Sequence, residues 1–418
     1  MSKFVIDGRR KLSGDIKIQG SKNSALPILS ACVLTGKTVV IHNCPKLSDV
    51  DAAIKILENL GCNVRQENDS VIVDASGADT YSIPDDLMRE MRSSVVFLGA
   101  LLGRFGNAEF SAPGGCEIGL RPIDLHIKAV EELGVTVNND MGRVKCSCPD
   151  GLKAGNIVFP FPSVGATENA ILAAVLADGV TTLVNCAREP EISDLADFLN
   201  ACGARIKGAG EGTIQIEGVK TLNGTEYTVI PDRIVATTYM AAVAATGGRA
   251  VLKGVIPAHL RPVMPVFMES GCSLVVKGHE LLIESPPELS RISCIITMPY
   301  PGFPTDAQAP VMAMTTIAKG TSVFTENIFE CRFKHVSELM RFGAKITVEG
   351  RMAVVEGVNS LYASSVTAGD LRGGAALVVA ALAAEGVSEI SDIHHIDRGY
   401  EELESQLSLL QANIKRVQ

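Results

Sequence analysis

The residues of this 418-residue chain best suited to chemistry are cations at the points where a loop turns into an apolar helical run. Lys22 lies in Gly20-Ser21-Lys22-Asn23-Ser24, Arg92 in Met91-Arg92-Ser93-Ser94, Arg233 after Pro231-Asp232, and Arg372 in Asp370-Leu371-Arg372-Gly373-Gly374. Two further junctions of the same kind read Pro162-Ser163-Val164-Gly165-Ala166-Thr167 and Pro304-Thr305-Asp306. A helix N-terminus presents free backbone N–H groups and the positive end of the dipole, which stabilises an anion and opposes a cation. Ser and Thr at such places are ordinarily caps and nothing more. A lysine and three arginines there call for an offsetting negative charge, which points to a bound phosphate or carboxylate.

A second group of loops carries Pro113-Gly114-Gly115-Cys116-Glu117-Ile118-Gly119-Leu120-Arg121-Pro122, Ala187-Arg188-Glu189-Pro190-Glu191, Ile328-Phe329-Glu330-Cys331-Arg332-Phe333 and His394-His395-Ile396-Asp397-Arg398-Gly399-Tyr400. Most cysteines are inert and buried. Cys116, on a glycine loop shortly before Arg121, reads instead as a functional thiol on an element able to close over a substrate. Cys146-Ser147-Cys148 and His394-His395 lack the second pair that a zinc site needs, so no metal is expected. No Walker-type or dinucleotide fingerprint is present, so neither ATP nor NAD is expected as a cofactor.

These loops are positioned by a repeat. Leu60-Gly61-Cys62-Asn63-Val64, Leu133-Gly134-Val135-Thr136-Val137, Cys202-Gly203-Ala204-Arg205-Ile206, Ser270-Gly271-Cys272-Ser273-Leu274 and Phe342-Gly343-Ala344-Lys345-Ile346 recur at a spacing of about 70 residues, with a weaker sixth copy at Gln411-Ala412-Asn413-Ile414. Each unit reads as strand, apolar helix, glycine turn, strand, amphipathic helix and Gly-marked strand. The first unit runs through Ile16–Ile18, Ala25–Leu34, Gly36, Thr38–Ile41 and Val50–Leu60. Helices apolar nearly all round, such as Ala170–Leu176 and Ala375–Ala384, belong inside a domain, while Asp124–Leu133 and His335–Phe342 carry a charged face toward solvent. The fold class is therefore α/β, six pseudo-symmetric units grouped three and three, with a boundary near residues 225–230.

Composition bounds the rest. The length exceeds what one core usually serves, and 46% hydrophobic with 20% charged residues describes a compact globular protein. A net charge of −9 disfavours a nucleic-acid surface. No apolar run approaches the roughly 20 residues of a membrane span, and the N-terminal stretch has no signal-peptide pattern. Eleven scattered cysteines do not form a secreted disulfide framework, so a cytoplasmic location is expected. Oligomeric state stays open.

Gly20-Ser21-Lys22-Asn23-Ser24-Ala25-Leu26-Pro27, the loop 113–122, Asp370-Leu371-Arg372 and His395-Ile396-Asp397-Arg398-Gly399-Tyr400 together resemble the UDP-N-acetylglucosamine enolpyruvyl transferases, and the motifs span the chain. The resemblance implies two inside-out α/β domains of three repeats each, residues 22–229 and residues 1–21 with 230–418, and an active site in the cleft between them. It implies transfer of the enolpyruvyl group of phosphoenolpyruvate to the 3-hydroxyl of UDP-N-acetylglucosamine, by addition and then elimination of phosphate. This is the first committed step toward peptidoglycan, the bacterial cell-wall polymer. By the same resemblance Cys116 is the general acid and the target of fosfomycin, and Asp306 is the base near the sugar hydroxyl. Lys22, Arg121 and Arg398 hold the phosphate and carboxylate of phosphoenolpyruvate and stabilise charge as it develops, which makes Lys22 and Arg398 catalytic residues with Cys116 and Asp306. Asn23, Arg92, Arg121, Pro122, Ile123, Asp124, Leu125, Ser163, Val164, Asp306 and Ile328 surround the UDP-sugar, and Arg332 and Arg372 belong to the anion cleft.

The run Pro231-Asp232-Arg233-Ile234-Val235-Ala236-Thr237 departs from the family pattern, which has Glu in place of Val235 and Gly in place of Thr237. Two alternatives stay open: a 3-phosphoshikimate 1-carboxyvinyltransferase of the same fold, and a catalytically silent paralogue that binds UDP-sugar.

Overall fold

The computed structural model describes residues 2–111, 123–140 and 142–418. They form two compact units, residues 20–230 on one side and residues 2–19 with 231–418 on the other. Each unit holds three sheets.

All six sheets follow one plan, which is the structural content of the sequence repeat. A strand pairs in parallel with the strand that follows the buried helix, and that strand then runs antiparallel to a hairpin. In one sheet of the second unit, Ser13–Lys17 lies parallel to Arg249–Lys253, which pairs antiparallel with Glu280–Glu284, itself antiparallel to Ser273–Lys277. Ile295–Ile296, Thr321–Thr325, Met352–Glu356 and Lys345–Glu349 repeat it. Ser365–Thr367, Val387–Ser391, Lys3–Asp7 and Asn413–Val417 pair in the same order and directions, with the hairpin replaced by two strands distant in sequence. In the 20–230 unit the sheets are built on Thr38–His42, Asn107–Ser111 and Val180–Val184. Among the described residues the middle one has three strands, with a parallel bridge between Ser82 and Glu109 in place of the fourth.

Inside the sheets of each unit stand three helices that pack on one another: Lys22–Thr35, Phe97–Phe105 and Val164–Ala174 in one, Arg233–Ala245, Thr305–Thr315 and Leu371–Ala383 in the other. Every residue of Arg233–Ala245 is buried, and every residue of Lys22–Thr35 except Asn23. This burial explains why these segments lack a polar stripe: a helix surrounded by helices and sheets has no face for water. The outer helices, such as Ser48–Asn59 and Asp124–Glu131, are amphipathic, as their sequences indicate. Two boundaries differ from the sequence reading. The first buried helix begins at Lys22 rather than Ala25, because its polar opening turn is hidden from an apolar count. Arg92 opens a 3₁₀ turn, Arg92–Val96, that leads into the helix Phe97–Phe105. Among the described residues no helix is long and apolar enough to cross a membrane.

The repeated glycine marks the exit from each outer helix. Gly61, Gly134, Gly203, Gly271 and Gly343 all have φ between 89° and 101°, and Gln411 takes the same role in the sixth copy at φ 68°. A side chain in this region clashes with its own backbone, by about 1–2 kcal/mol. A Cβ at Gly134 would meet nothing within 4 Å, so its replacement isolates the backbone cost. Gly134→Ala is expected to lower stability by about 1–2 kcal/mol and Gln411→Gly to raise it by roughly 0.5–1, both read from urea denaturation midpoints.

Candidate active site

In the unit of residues 231–418, the predicted site residues Asp306, Arg332 and Arg372 converge. Asp306 is in the first turn of Thr305–Thr315, where the helix dipole favours a carboxylate. Its Oδ1 accepts a hydrogen bond from Arg332 Nη2 at 2.8 Å, and its Oδ2 accepts from Arg372 Nε and Nη2 at 3.3 and 3.2 Å. Arg332 and Arg372 are only 3% and 2% exposed. Arg372 follows Asp370, the N-cap of Leu371–Ala383, whose carboxylate accepts the N–H groups of Arg372 and Gly373 at 3.0 Å and lies 3.9 Å from Arg332 Nη1. The Arg372 guanidinium lies over the Tyr400 ring, 5.4 Å from its centroid. Burial alone would pull its pKa down, but Tyr400, Asp306 and Asp232 outweigh that and hold it above the ordinary arginine value.

Loop residues are fixed by a buried glutamate. Glu326 takes Thr305 Oγ1 at 2.9 Å on one oxygen and the N–H groups of Ile328 and Phe329 at 2.8 and 3.1 Å on the other. Ile328 is half-buried and is thereby tied to the helix carrying Asp306. Arg398 is half-buried on the loop after Ile393–His395, and the carboxamide of Gln19 braces that loop through Gly399 O and Glu401 N. Gly399 sits so close to Leu371 that a Cβ there would come within 2.8 Å of its side chain, which places the Arg398 loop at the start of the Arg372 helix.

In the unit of residues 20–230, Lys22 is the first residue of its helix and 9% exposed. Its Nζ lies 3.1 Å from Oδ2 of Asp49, in the first turn of Ser48–Asn59. Asn23 is half-buried beside it, while Ser24 donates to the buried Asp194. Burial raises the Asp194 pKa, against the hydrogen bonds from Ser24 and Tyr227 that lower it. Ser163 caps the helix Val164–Ala174 by accepting from Ala166 N at 3.4 Å, with Val164 half-buried next to it. Ile123 and Leu125 are half-buried and Asp124 is exposed at the start of Asp124–Glu131. Arg92 begins the 3₁₀ turn. Cys116, Arg121 and Pro122 lie outside the described residues.

The arrangement has spare donor capacity for an anion. Arg332 Nε and Arg372 Nη1 are buried and have no hydrogen-bond partner among the described residues. Charged donors are seldom left so in folded proteins, and a carboxylate or phosphate brought against them would satisfy them. Asp49, Glu326 and Tyr400 were not singled out from the sequence. Asp49 reads locally as an ordinary acidic first-turn residue, and only the fold brings it to Lys22.

The family model for EPSP synthase (3-phosphoshikimate 1-carboxyvinyltransferase) matches residues 6–407. The chain belongs to this family of enolpyruvyl transferases. Within the family, the chain is 49% identical over 417 residues to a protein of Caldanaerobacter subterraneus subsp. tengcongensis named UDP-N-acetylglucosamine 1-carboxyvinyltransferase 2, covering all of both chains. The enolpyruvyl transferase NikO of Streptomyces tendae superposes with a TM-score of 0.90 at 25% identity, over 100% of this chain and 99% of that one. An EPSP synthase of Acinetobacter baumannii shares the fold over the full length of both chains, with a TM-score of 0.75 at 18% identity.

His335 supplies a test of how tightly this arginine cluster is enclosed. It is buried behind Arg332, with Nδ1 3.2 Å from the Arg332 carbonyl, and its pKa is lowered to about 4, first by burial and then by Arg332, with Asp370 opposing. A folded-state pKa below the unfolded value of about 6.5 means that the unfolded chain binds the extra proton between those limits. Stability from a neutral His335 is thus complete above pH 6.5 and is lost as pH falls toward 4. His335→Gln is expected to lose less stability than the wild type over this interval, measured by denaturation midpoints at pH 7, 6, 5 and 4.5.

Proposed function

We propose that this chain transfers the enolpyruvyl group of phosphoenolpyruvate to the 3-hydroxyl of UDP-N-acetylglucosamine and releases phosphate, as the enzyme of the first committed step of peptidoglycan precursor synthesis. The observation that carries this reading is the 49% identity over the whole chain to a UDP-N-acetylglucosamine 1-carboxyvinyltransferase, against 18% to an EPSP synthase of the same fold. The alternative acceptor, shikimate 3-phosphate, is correspondingly disfavoured.

The chemistry needs a proton delivered to the methylene carbon of phosphoenolpyruvate while the sugar oxygen bonds to its C2 and gives up its own proton. The tetrahedral adduct then loses phosphate and returns a proton from the methyl group. An acid and a base must act on different atoms. Cys116 is assigned as the acid, which requires it to enter the reaction as a thiol rather than a thiolate. Asp306 is assigned to the sugar hydroxyl, its carboxylate held in place by Arg332 and Arg372. Lys22, Arg121 and Arg398 are assigned to the anionic groups of phosphoenolpyruvate, with the unfilled donors of Arg332 and Arg372 beside Asp306 adding positive field for charge that develops during addition. Asn23, Arg92, Ile123, Asp124, Leu125, Ser163, Val164 and Ile328 are assigned to the UDP-sugar. Phosphoenolpyruvate and UDP-sugar, with no cofactor, are the whole ligand set of this reading, and a cytoplasmic site of action fits it.

Phosphate release from phosphoenolpyruvate by purified protein is expected with UDP-N-acetylglucosamine and absent with shikimate 3-phosphate. Cys116→Ala and Asp306→Asn are each expected to lower turnover by about 10²–10⁴, the range for a lost general acid or base. Unchanged turnover in Asp306→Asn would remove that residue from the role. UDP-sugar binding without any phosphate release would make the chain a silent paralogue.

A further inference from the structure

At the core of the 20–230 unit one carboxamide is bonded to three elements that carry residues assigned to the nucleotide-sugar: its own helix, the Arg92–Val96 turn and Asp124–Glu131. Asn169 is fully buried on Val164–Ala174. Its Oδ1 accepts the N–H of Gly99, on Phe97–Phe105, at 2.6 Å. Its Nδ2 lies 3.0 Å from the carbonyl of Val95 in the Arg92–Val96 turn, 2.8 Å from Nδ1 of His126 on Asp124–Glu131, and 3.2 Å from the carbonyl of Gly165. The orientation of the amide is dictated by chemistry: the Gly99 N–H needs the oxygen, so the NH₂ group faces the two carbonyls and the imidazole. An NH₂ group can only donate, so His126 Nδ1 must accept and the ring proton must reside on Nε2.

The edge of the ring that bears Nε2 lies against Gly165, where a Cβ would come within 2.8 Å of Cε1 and 3.2 Å of Nε2. Glycine at the second position of this helix is what admits the ring. Burial holds the imidazole neutral, lowering its pKa to about 4 against the opposing pull of Asp124.

We propose that Asn169 is a positioning residue for the nucleotide-sugar half of the site, holding the elements of Arg92, Asp124 and Leu125, and Ser163 and Val164 in register and fixing His126 as a neutral Nε2–H donor beside the first turn of Val164–Ala174. This rests on the assignment of those residues to the UDP-sugar. The reason to expect a role beyond packing is the choice of partners. A leucine could fill the space, but it could not accept the Gly99 N–H or donate to the Val95 carbonyl and the His126 nitrogen, groups that belong to three separate elements.

Three variants test it. Asn169→Asp keeps the acceptor for Gly99 but turns the donor end into acceptors, Asn169→Leu removes both, and Gly165→Ala leaves the carboxamide intact while displacing the ring. Each is expected to raise KM for UDP-N-acetylglucosamine about tenfold or more, with KM for phosphoenolpyruvate and kcat within about twofold of wild type. In ¹⁵N spectra of histidine-labelled enzyme, the wild-type His126 is expected to show the neutral Nε2–H pattern, and Asn169→Asp to shift it to Nδ1–H or to the imidazolium. A merely structural role would lower the yield of active enzyme, leave both KM values unchanged and leave the tautomer alone, and that result overturns the proposal. If the Asn169 variants do not fold, Gly165→Ala decides the matter by the same KM split. A wild-type enzyme that does not use UDP-N-acetylglucosamine at all would overturn the underlying assignment. Wild-type turnover with unsplit KM effects would overturn the positioning role alone.

Discussion

Burying a guanidinium is tolerable only where fixed negative charge and hydrogen-bond acceptors replace the water it gives up, and the 231–418 unit buries two side by side. Much of the local architecture follows from that requirement. Asp306 divides its two oxygens between Arg332 and Arg372, and Asp370 serves both as a helix cap and as a second negative neighbour for Arg332. Glu326 secures the loop leading to Arg332, and His335 stays neutral at its back. Removing the shared carboxylate would leave two enclosed cations with Asp370 beside Arg332 and Asp232 acting on Arg372 but no carboxylate between them, a loss of the kind that costs several kcal/mol. The cluster is therefore rigid before any ligand arrives. Rigid, dry charges interact strongly with an incoming anion because little solvent or side-chain reorganisation accompanies the contact.

The 20–230 unit meets a smaller version of the same demand at Lys22. A cation at the head of a helix is opposed by the dipole, and Asp49, at the head of a neighbouring helix, supplies compensation where its own dipole welcomes a carboxylate. Lysine carries three N–H donors on one nitrogen, whereas each guanidinium spreads five over a rigid plane. That spread is why the arginines draw partners from several elements.

Sequence periodicity carried the repeat, the buried helices and the placement of Lys22, Asp306 and Arg372 near helix starts, because each of those features is local. Gly61, Gly134, Gly203, Gly271 and Gly343 were legible for the same reason, as a backbone requirement repeated at one place in each unit. What stayed hidden was pairing across distance. Nothing near Asp49 distinguishes it from an ordinary first-turn acid, and Asn169 follows Thr167 and Glu168, where one more polar residue near a helix start attracts no notice. The general-acid role of Cys116 and the roles of Arg121 and Pro122 rest on resemblance, since those residues lie outside the described part of the chain. The turn at Arg92 was misread as an α-helix start because a 3₁₀ opening has no sequence signature separate from that of the helix it leads into.

The two N-terminal strands belong to sheets whose other members come much later in the chain: Lys3–Asp7 pairs with Val387–Ser391 and Asn413–Val417, and Ser13–Lys17 with Arg249–Lys253. Synthesis proceeds from the N-terminus, so these two strands leave the ribosome long before their partners do. The 20–230 unit is interposed between these strands and their partners, and it can close its own three sheets while they wait. Until those partners appear, the nascent chain carries exposed pairing edges on these strands, the feature most prone to stray association. Charged residues at Lys3, Asp7, Asp15 and Lys17 along those strands give the waiting segment solubility during that interval.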